Sequence, residues 1–462
     1  MQLNLVLLAI QYPSDMERPT IYLFLILCCF CCSVVVRGAG LKDEFTWSRI
    51  DYAWPQDSLL ASRFWGDENG NFFFNGPTNA DSYLSTTQRP TVSTPKSLVT
   101  KIPVDYQYVN NIPMGANVWK DKLFVTVPRR RSGIPSTLNY VPLNSPVKHN
   151  LPLIPYPNWN INLFPDTSGK GDNIVSVYRI AIDECDRMWL VDTGVIETLG
   201  NATKVKQPQL ILINLLTDEI IHRVTVPESV LTPRTVFTSV TVDVSKRSCN
   251  DAFAYFPDLA GYGLIVFSLE LNRFWRVKHN YFYLESTEGD FSIGGYNFQW
   301  TDGIFSVEVT EEKPDGFRDL FFHAMAGTHK FKVSTKILRN ETLATRSYHG
   351  NDITIVGNKG KKFQTSMADM YKPSGILFLN LVNQNALGCW NTQKNLNTIS
   401  IVHKDDAKMI YPSDVKVSGD RVYVLTNRMP IFIYGKLNYD DVNFRIWSNT
   451  VKDAIKDTNC EI

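Results

Sequence analysis

Strand pairs joined by a short polar turn recur along this chain, and this recurrence constrains the fold more than any single motif. The clearest copy is residues 178–194 (YRIAIDECDRMWLVDTG), where two apolar runs flank the polar turn at residues 183–187. Two strands of about five residues joined by such a turn form a β-hairpin. An isolated hairpin is marginally stable in water, so several copies must pack together. Similar segments occupy residues 116–127, 239–255, 303–323, 366–379 and 414–425.

The spacing of these hairpins indicates a repeat architecture. Their second strands lie about 45 to about 70 residues apart, which leaves room for four strands in each repeat. Residues 210–215 with 220–226, and 263–269 with 273–278, supply the additional strand pairs after two of the hairpins. The sequence therefore predicts an all-β, six-bladed β-propeller with a central channel. A large β-sandwich or a pair of β domains is the alternative, but neither requires a regular number of hairpins.

The first 40 residues are predicted to be a targeting segment. Residues 21–36 (IYLFLILCCFCCSVVV) are mainly apolar, with Glu17 and Arg18 before them and small residues at 38–40. A run shorter than the roughly 20 residues of a membrane-spanning helix, followed by small residues, is typical of a secretory signal peptide. Met16 is an alternative start, and an uncleaved signal anchor is the competing interpretation. Residues 41–462 are then predicted to be one propeller domain, secreted and extracellular.

Two segments of the N-terminal region differ in composition and are predicted to differ in structure. Residues 75–101 are rich in Ser, Thr and Pro, which predicts a disordered surface loop. Residues 44–65 return to aromatic, strand-like patterning. Because a ring of blades must close, we expect a strand from this segment to complete the last blade beside residues 431–436 and 444–448.

The cysteines support export. The predicted signal contains four of the eight, and the others are Cys185, Cys249, Cys389 and Cys460. An even number in an exported chain predicts two disulfides. Of the three possible pairings we favour Cys185 with Cys249 and Cys389 with Cys460, since each links adjacent repeats. Metal binding is the alternative, but no C-x-x-C or H-x-x-x-H spacing occurs, and no metal is predicted.

Other surface features are weaker signals. The sequons at Asn201 and Asn340 predict glycosylation. With 47 basic and 46 acidic residues the net charge is +1, so nucleic acid and, after signal cleavage, membrane are not expected partners. The one basic cluster, residues 129–131, is interpreted as a solvated loop. The oligomeric state is not predicted.

Six stretches in order resemble the insect yellow and major royal jelly protein family. They are residues 123–141, 151–160, 177–194, 258–279, 298–309 and 386–393. The resemblance runs from about residue 44 to Cys460. It implies a secreted six-bladed propeller with a role in cuticle pigmentation and melanin metabolism. It also implies small-ligand binding in some members and dopachrome conversion in a few. In the stretch PRRRSGIP, Arg130 stands where many members carry an aromatic residue.

Loops that precede the innermost strand of each blade, or follow its partner, form the rim of a propeller channel. Polar groups and aromatic rings on that rim would suit a small aromatic amine or catechol-type ligand. A carboxylate would bind the ammonium, and aromatic faces would bind the ring. The predicted ligand-binding residues are Asn173, Phe298, Trp300, Asp302, Thr365, Asn380 and Asn427.

A structural role is the alternative for each of these residues. Aspartates beside turns, such as Asp183, Asp192 and Asp258, often accept hydrogen bonds from loop amides. Trp119, Trp189, Trp275 and Trp390 are interpreted as packing residues of the blades. Some unrelated six-bladed propellers bind calcium through channel Asp and Asn, which keeps calcium open for Asn173, Asn380 and Asn427.

A rim that binds a ligand would not by itself make the protein an enzyme. Dopachrome conversion removes a proton from carbon and returns one to oxygen, so it requires an acid and a base active near neutral pH. The candidates are Asp302, Asp414 and His323, but spacing alone identifies no pair. No nucleophile elbow, zinc motif or phosphate loop occurs, and no cofactor is predicted. The sequence favours a ligand-binding pigmentation protein. A dopachrome isomerase is the first alternative, and an extracellular structural or signalling protein without a small ligand is the second.

Overall fold

The computed structural model describes residues 40–55, 64–66, 72–74, 106–164 and 171–461. Within these residues the chain forms six four-stranded antiparallel sheets. The innermost strands of neighbouring sheets are in contact around a ring, and the sixth contacts the first. The predicted six-bladed β-propeller is therefore confirmed. The predicted signal peptide and the Ser/Thr/Pro-rich loop lie outside the described residues.

Each blade has one strand on the channel and three further strands toward the outside. From the channel outward the strands are Gly115–Trp119, Lys122–Thr126, Leu138–Pro142 and Ile154–Pro155 in blade 1; Val177–Ile182, Arg187–Asp192, Gln209–Asn214 and Glu219–Thr225 in blade 2; Thr241–Ser245, Ser248–Asp258, Gly263–Ser268 and Arg273–Val277 in blade 3; Ile304–Val309, Asp319–Ala324, His329–Ser334 and Ile353–Asn358 in blade 4; Thr365–Tyr371, Ile376–Leu381, Ala386–Asn391 and Ser400–Lys404 in blade 5; and Pro412–Ser418, Arg421–Thr426, Phe444–Thr450 and Lys42–Trp47 in blade 6.

The remaining elements lie between or beyond these strands. Two-stranded hairpins join Phe64–Gly66 to Phe72–Phe74, Val195–Ile196 to Thr203–Lys204, and Asp290–Ile293 to Tyr296–Gln299. Short α-helices span Trp159–Asn162, Thr335–Leu338, Glu341–Ala344, Met429–Tyr434 and Val451–Ile455. Single 3₁₀ turns span Tyr108–Asn110, Glu228–Val230, Asn280–Phe282, Lys372–Ser374, Val382–Gln384 and Leu396–Thr398. None of the helices described has both the length and the apolar character needed to cross a bilayer.

The N-terminal strand closes the ring. Lys42–Trp47 pairs antiparallel with Phe444–Thr450, so that Phe45 lies opposite Ile446. Phe45 is fully buried, and removing its ring from water favours the closed ring. The prediction that an N-terminal strand completes the last blade is correct for residues 444–448. It is wrong for residues 431–436, because Met429–Tyr434 is a helix whose first turn contains a proline, a position that proline favours.

The polar turn at residues 183–187 shows why the hairpins form. The carboxylate of Asp183 accepts hydrogen bonds from the backbone amides of Cys185 and Arg187 at 2.9 and 3.0 Å. It also accepts one from Nε1 of Trp189 at 2.7 Å. Asp183 therefore fixes the turn and anchors a fully buried tryptophan, which is the structural role considered for it.

Tryptophans pack within the blades as the sequence predicts. Trp189, Trp275 and Trp390 are at most 2% exposed. Trp119 is only partly buried, and its Nε1 donates a 2.8 Å hydrogen bond to the carboxylate of Asp186.

Both favoured disulfides are present. Cys185 pairs with Cys249 at a Cα–Cα distance of 6.0 Å, which links blades 2 and 3. Cys389 pairs with Cys460 at 6.2 Å, which ties blade 5 to the C-terminal segment. Cys249 is the second residue of the strand Ser248–Asp258. The sequon residues Asn201 and Asn340 are exposed, and their glycosylation stays a prediction.

Candidate functional site

The channel is closed midway by one arginine. Arg179 extends from the innermost strand of blade 2, and its guanidinium donates 2.8 Å hydrogen bonds to the carbonyl oxygens of Thr238 and Ser413. The guanidinium also lies 5.2 Å from the ring centre of Phe305. Burial lowers the pKa of Arg179, and the charge of Asp414 opposes that change. Arg179 separates an upper mouth, where the innermost strands begin, from a lower mouth, where they end.

Asp414, one of the catalytic candidates, is part of this closure. Its carboxylate accepts hydrogen bonds from the amides of Ala116 and Val415, both at 3.0 Å. It also lies 3.9 Å from Nε of Arg179 and 3.7 Å from Nζ of Lys416. Burial raises the pKa of Asp414, with both cations opposing the rise. At 1% exposure Asp414 joins blades 1 and 6 and does not face either mouth.

His323, the second catalytic candidate, is buried between blades 4 and 5. Its Nε2 lies 3.1 Å from the carbonyl oxygens of Thr365 and Ser366, and its Nδ1 lies 3.0 Å from Nζ of Lys330. Since two carbonyls face Nε2, that nitrogen carries the proton and Nδ1 accepts from Lys330. Burial and the charge of Lys330 keep the pKa of His323 well below its usual value. Both ring nitrogens are thus engaged by the protein.

Asp302, the third catalytic candidate, differs from the other aspartates beside the strands. Asp192 accepts hydrogen bonds from two loop amides at 2.8 and 2.9 Å, and Asp258 accepts one from an amide and one from Arg276, both at 2.8 Å. In the described part of the chain no group donates a hydrogen bond to the carboxylate of Asp302 or forms an ion pair with it. Burial raises the pKa of Asp302 to about 6, while the charge of Arg130 opposes the rise. A half-buried carboxylate therefore stands at the upper mouth without a partner among the described residues.

An aromatic cap lies beside Asp302. We define the cap as Phe291, Phe298, Trp300, Tyr411 and Tyr434. The rings of Phe298 and Trp300 are 4.5 Å apart, and Phe298 stacks on Phe291 at 5.6 Å. Trp300 meets Tyr411 edge to face at 6.0 Å and donates a 2.9 Å hydrogen bond to the hydroxyl of Tyr434. The cap thus joins the hairpin of residues 290–299 to the helix Met429–Tyr434, and it groups two of the predicted ligand-binding residues with Asp302.

Three of the remaining predicted ligand-binding residues form side-chain hydrogen bonds within the protein. The amide of Asn173 donates to two backbone carbonyl oxygens, both at 2.7 Å. The hydroxyl of Thr365 donates to a carbonyl at 3.0 Å and accepts from Nζ of Lys359 at 2.8 Å. The amide of Asn427 donates to a carbonyl at 2.8 Å and accepts from the amide of Met429 at 3.1 Å. These contacts give Asn173, Thr365 and Asn427 structural roles.

Asn380 is fully buried in the strand Ile376–Leu381, and neither atom of its amide has a hydrogen-bond partner among the described residues. Across the same residues, no three or more His, Cys, Asp or Glu side chains come together to hold a metal ion.

The basic cluster at residues 129–131 is not the solvated loop that the sequence suggests. Arg129 is 4% exposed and donates to five backbone carbonyl oxygens of the surrounding loops. Arg131 donates a 3.0 Å hydrogen bond to the carbonyl of Phe432 and lies 4.1 Å from the centre of its ring. Loop carbonyls that need donors draw both guanidinium groups inward.

Arg130 is the functional candidate that sequence reasoning missed. It is half-buried, and its Nη1 contacts the sulfur of Met429 at 3.0 Å and that of Met114 at 3.9 Å. Its Nε is buried without a hydrogen-bond partner among the described residues. The apolar residues that flank the cluster were the one available signal, since a fully solvated loop has little need of them.

Two concavities lie away from the upper mouth. The lower mouth holds a cavity of about 370 Å³ between the turns of the inner hairpins, with Asp369 and Lys416 in its lining. An open groove of about 1400 Å³ runs along the outer edge of blade 3, beside the exposed Tyr348. Neither contains a candidate residue predicted from the sequence.

Comparison with known proteins places these features in context. The model of a family described as major royal jelly protein matches residues 175–460. The L-dopachrome tautomerase yellow-f of Drosophila melanogaster is 40% identical over 356 residues, which cover 76% of this chain and 82% of that protein. Protein yellow of Drosophila subobscura is 40% identical over 428 residues, covering 91% of this chain and 67% of that protein. Protein yellow of Drosophila melanogaster is 39% identical over 432 residues, covering 91% and 71% respectively.

Among solved structures, virginiamycin B lyase from Staphylococcus aureus is similar over 74% of this chain and 95% of its own. The TM-score is 0.39 and the sequence identity is 11%. A likeness at this level has no bearing on function.

Proposed function

Because this chain belongs to the major royal jelly protein family, with yellow proteins among its relatives, we propose that it acts in pigmentation by binding a small catechol-derived compound at the upper mouth. We further propose that it acts outside the cell, after secretion. The observation that carries the binding proposal is Asp302, a half-buried carboxylate to which no described residue donates a hydrogen bond.

An unpartnered carboxylate near aromatic rings suits one class of ligand. A cationic nitrogen would pair with Asp302, which is ionised above a pH of about 6. The planar ring of the ligand would pack against the half-buried Trp300, which the buried ring of Tyr411 supports edge to face. An aromatic amine or a catechol derivative offers both groups within one small molecule.

Conversion of dopachrome is the second candidate, and the same carboxylate favours it. A group with a pKa of about 6 exchanges protons readily near neutral pH, as a general base or acid must. In a tautomerisation Asp302 would take a proton from carbon, and a proton would be returned to oxygen. No atom is gained or lost and no oxidant is needed. The resemblance to a protein named L-dopachrome tautomerase supports this candidate.

The test uses the mature protein, residues 41–462, with its disulfides intact. Binding of dopamine and serotonin is measured by calorimetry, and loss of L-dopachrome is followed by absorbance against the uncatalysed rate. We expect saturable heat with at least one amine, and at least a tenfold loss of affinity in Asp302→Asn. Turnover that Asp302→Asn abolishes would establish the second candidate.

The matched control is Asp440→Asn, which removes a carboxylate from an exposed position without altering the mouth. If the Asp302 and Asp440 variants behave alike, the proposed site is wrong. If neither heat nor turnover appears in the wild type, a structural or signalling role without a small ligand replaces this proposal. Secretion is tested separately, by expressing residues 1–462 in insect cells and assaying the medium for protein whose N-terminus lies near residue 41.

A further inference from the structure

We propose that Arg130 makes the upper mouth selective for catechol-derived ligands that carry a carboxylate beside the amine, in preference to the corresponding amines that lack it. This inference rests on the proposed function, because it concerns a ligand of the same site. It assigns to Arg130 the role of the specificity-determining residue.

Among the described residues, the guanidinium of Arg130 lacks the oxygen acceptors that such a group normally has. Its contacts through Nη1 are with two thioether sulfurs, which are weak acceptors, and its Nε is buried without a partner among the described residues. A guanidinium has five N–H donors, and leaving donors unpaired in a desolvated place is unfavourable. A ligand oxygen at this position would accept hydrogen bonds for which the described residues offer no oxygen acceptor.

Unlike Arg130, the two neighbouring arginines donate hydrogen bonds to carbonyl oxygens. Arg129 is saturated by backbone carbonyls, and Arg131 is held by the carbonyl and ring of Phe432. Three identical residues in a row thus meet three different surroundings. Within the cluster, Arg130 is the one whose described side-chain contacts include no oxygen acceptor.

Charged groups of both signs lie at the upper mouth. The positive charge of Arg130 influences the pKa values of Asp302, Arg179 and Tyr411, so Arg130 lies within electrostatic range of each of these groups. Arg130 nevertheless forms no ion pair with Asp302, although both belong to the described residues. A cation and an anion that are close but unpaired leave a place for a ligand that bears both charges. Arg179 adds a second positive charge at the closed end of this mouth.

These positions match the charges of a catechol-bearing amino acid. Its carboxylate would accept two parallel hydrogen bonds from the planar guanidinium of Arg130, while its ammonium pairs with Asp302. A decarboxylated amine of the same shape would keep the second contact and leave Arg130 unpaired. Sites built to pair a charged group discriminate strongly against ligands that lack it.

The experiment compares L-DOPA with dopamine, which differ only in the carboxylate. Affinities for the mature protein are measured by calorimetry at pH 7.5 for the wild type, Arg130→Met, Arg130→Lys and the control Arg131→Met. We expect the wild type to favour L-DOPA by at least about tenfold. Arg130→Met should bring the ratio near one by weakening L-DOPA alone, and Arg130→Lys should restore part of the preference. Arg131→Met removes a charge from the same loop and should keep the ratio.

The outcomes separate this inference from the proposed function. A preference for L-DOPA that persists in Arg130→Met overturns the role of Arg130, while binding that depends on Asp302 still supports the site. An equal or inverted preference in the wild type also overturns the inference. If neither L-DOPA nor dopamine binds, both proposals are overturned. If Arg130→Met does not fold, the ratio in Arg130→Lys decides, because lysine keeps the charge and loses the two-pronged geometry. An unchanged ratio there counts against the inference.

Discussion

Arg179 of blade 2 donates a 2.8 Å hydrogen bond to the carbonyl oxygen of Ser413 in blade 6, 234 residues further along the chain. The same guanidinium binds the carbonyl of Thr238 in blade 3. One side chain therefore connects three blades across the axis of the propeller.

Replacing Arg179 by Met should lower the free energy of unfolding by about 3 to 5 kcal/mol. The substitution removes a buried cation and leaves the carboxylate of Asp414 with one fewer positive neighbour in a place where solvent cannot compensate. Urea denaturation measures the change. The control is Arg247→Ala, since the side chain of Arg247 is 83% exposed in its pair with Glu312, and an effect within about 0.5 kcal/mol is expected. A similar small effect for Arg179→Met would show that the closure is not a structural requirement.

Asp302 should make a contribution to stability that falls as pH rises from about 4 to about 6. Burial raises the pKa of Asp302 from its ordinary 3.8 to about 6, so in this window the folded chain holds a proton that the unfolded chain has released. Asp302→Asn removes this dependence and should stabilise the protein at pH 7.5 by about 1 to 2 kcal/mol. Solvent screens part of the roughly 3 kcal/mol that such a shift represents. Unfolding curves at pH 4.5 and 7.5, with Asp440→Asn as control, test this; a less stable Asp302→Asn at pH 7.5 contradicts it.

Binding of a cationic ligand should strengthen as pH rises through about 6. The carboxylate of Asp302 becomes ionised over that range, and only the ionised form attracts an ammonium group. Dopamine suits this test because its amine stays protonated throughout. Calorimetric affinities between pH 5 and 7.5 should improve about tenfold for the wild type and stay flat for Asp302→Asn. Equal profiles for the two proteins would assign the titration to another group.

Phe45→Ala should destabilise the protein by about 3 to 5 kcal/mol. Phe45 is fully buried in the strand that closes the ring, and truncating a buried phenylalanine loses apolar contact and leaves a cavity. Lys42→Ala, on the same strand but exposed, should change stability by less than about 0.5 kcal/mol. Denaturant midpoints measure both. Equal midpoints for the two variants would mean that the N-terminal strand contributes little to closure.

The two disulfides should differ in their rates of reduction. Cys389 and Cys460 are fully buried, whereas Cys185 and Cys249 are partly exposed. Because thiol–disulfide exchange requires access of the attacking thiolate to a sulfur, Cys185–Cys249 should be reduced first under native conditions. Alkylation after mild reduction, followed by mass spectrometry, identifies the free cysteines. The difference should disappear in denaturant, and earlier labelling of Cys389 in the folded protein would contradict the prediction.

Local sequence patterns were sufficient to determine the architecture. Alternating apolar residues and polar turns such as 183–187 depend on neighbours within a few positions, so they reveal each hairpin, and the number of hairpins gives the number of blades. Cys185 and Cys249 could be paired for the same reason, since adjacent repeats are adjacent in space. The same reasoning did not predict the helix Met429–Tyr434, because its apolar residues pack against the hairpin of residues 290–299 and not within a sheet.

The site depends on contacts that no local pattern contains. In sequence, Asp192, Asp258 and Asp302 are all aspartates beside a strand, and only the fold shows that loop amides reach the first two and not the third. Likewise, Arg129 and Arg130 are adjacent and identical, yet one meets backbone carbonyls and the other meets sulfurs from Met114 and Met429. The sequence by itself determined the propeller, its closing strand and its disulfides, since those follow from short-range periodicity and the order of repeats. Only the tertiary structure decided which charges remain unpaired, because each partner comes from loops that the fold brings together from distant parts of the chain.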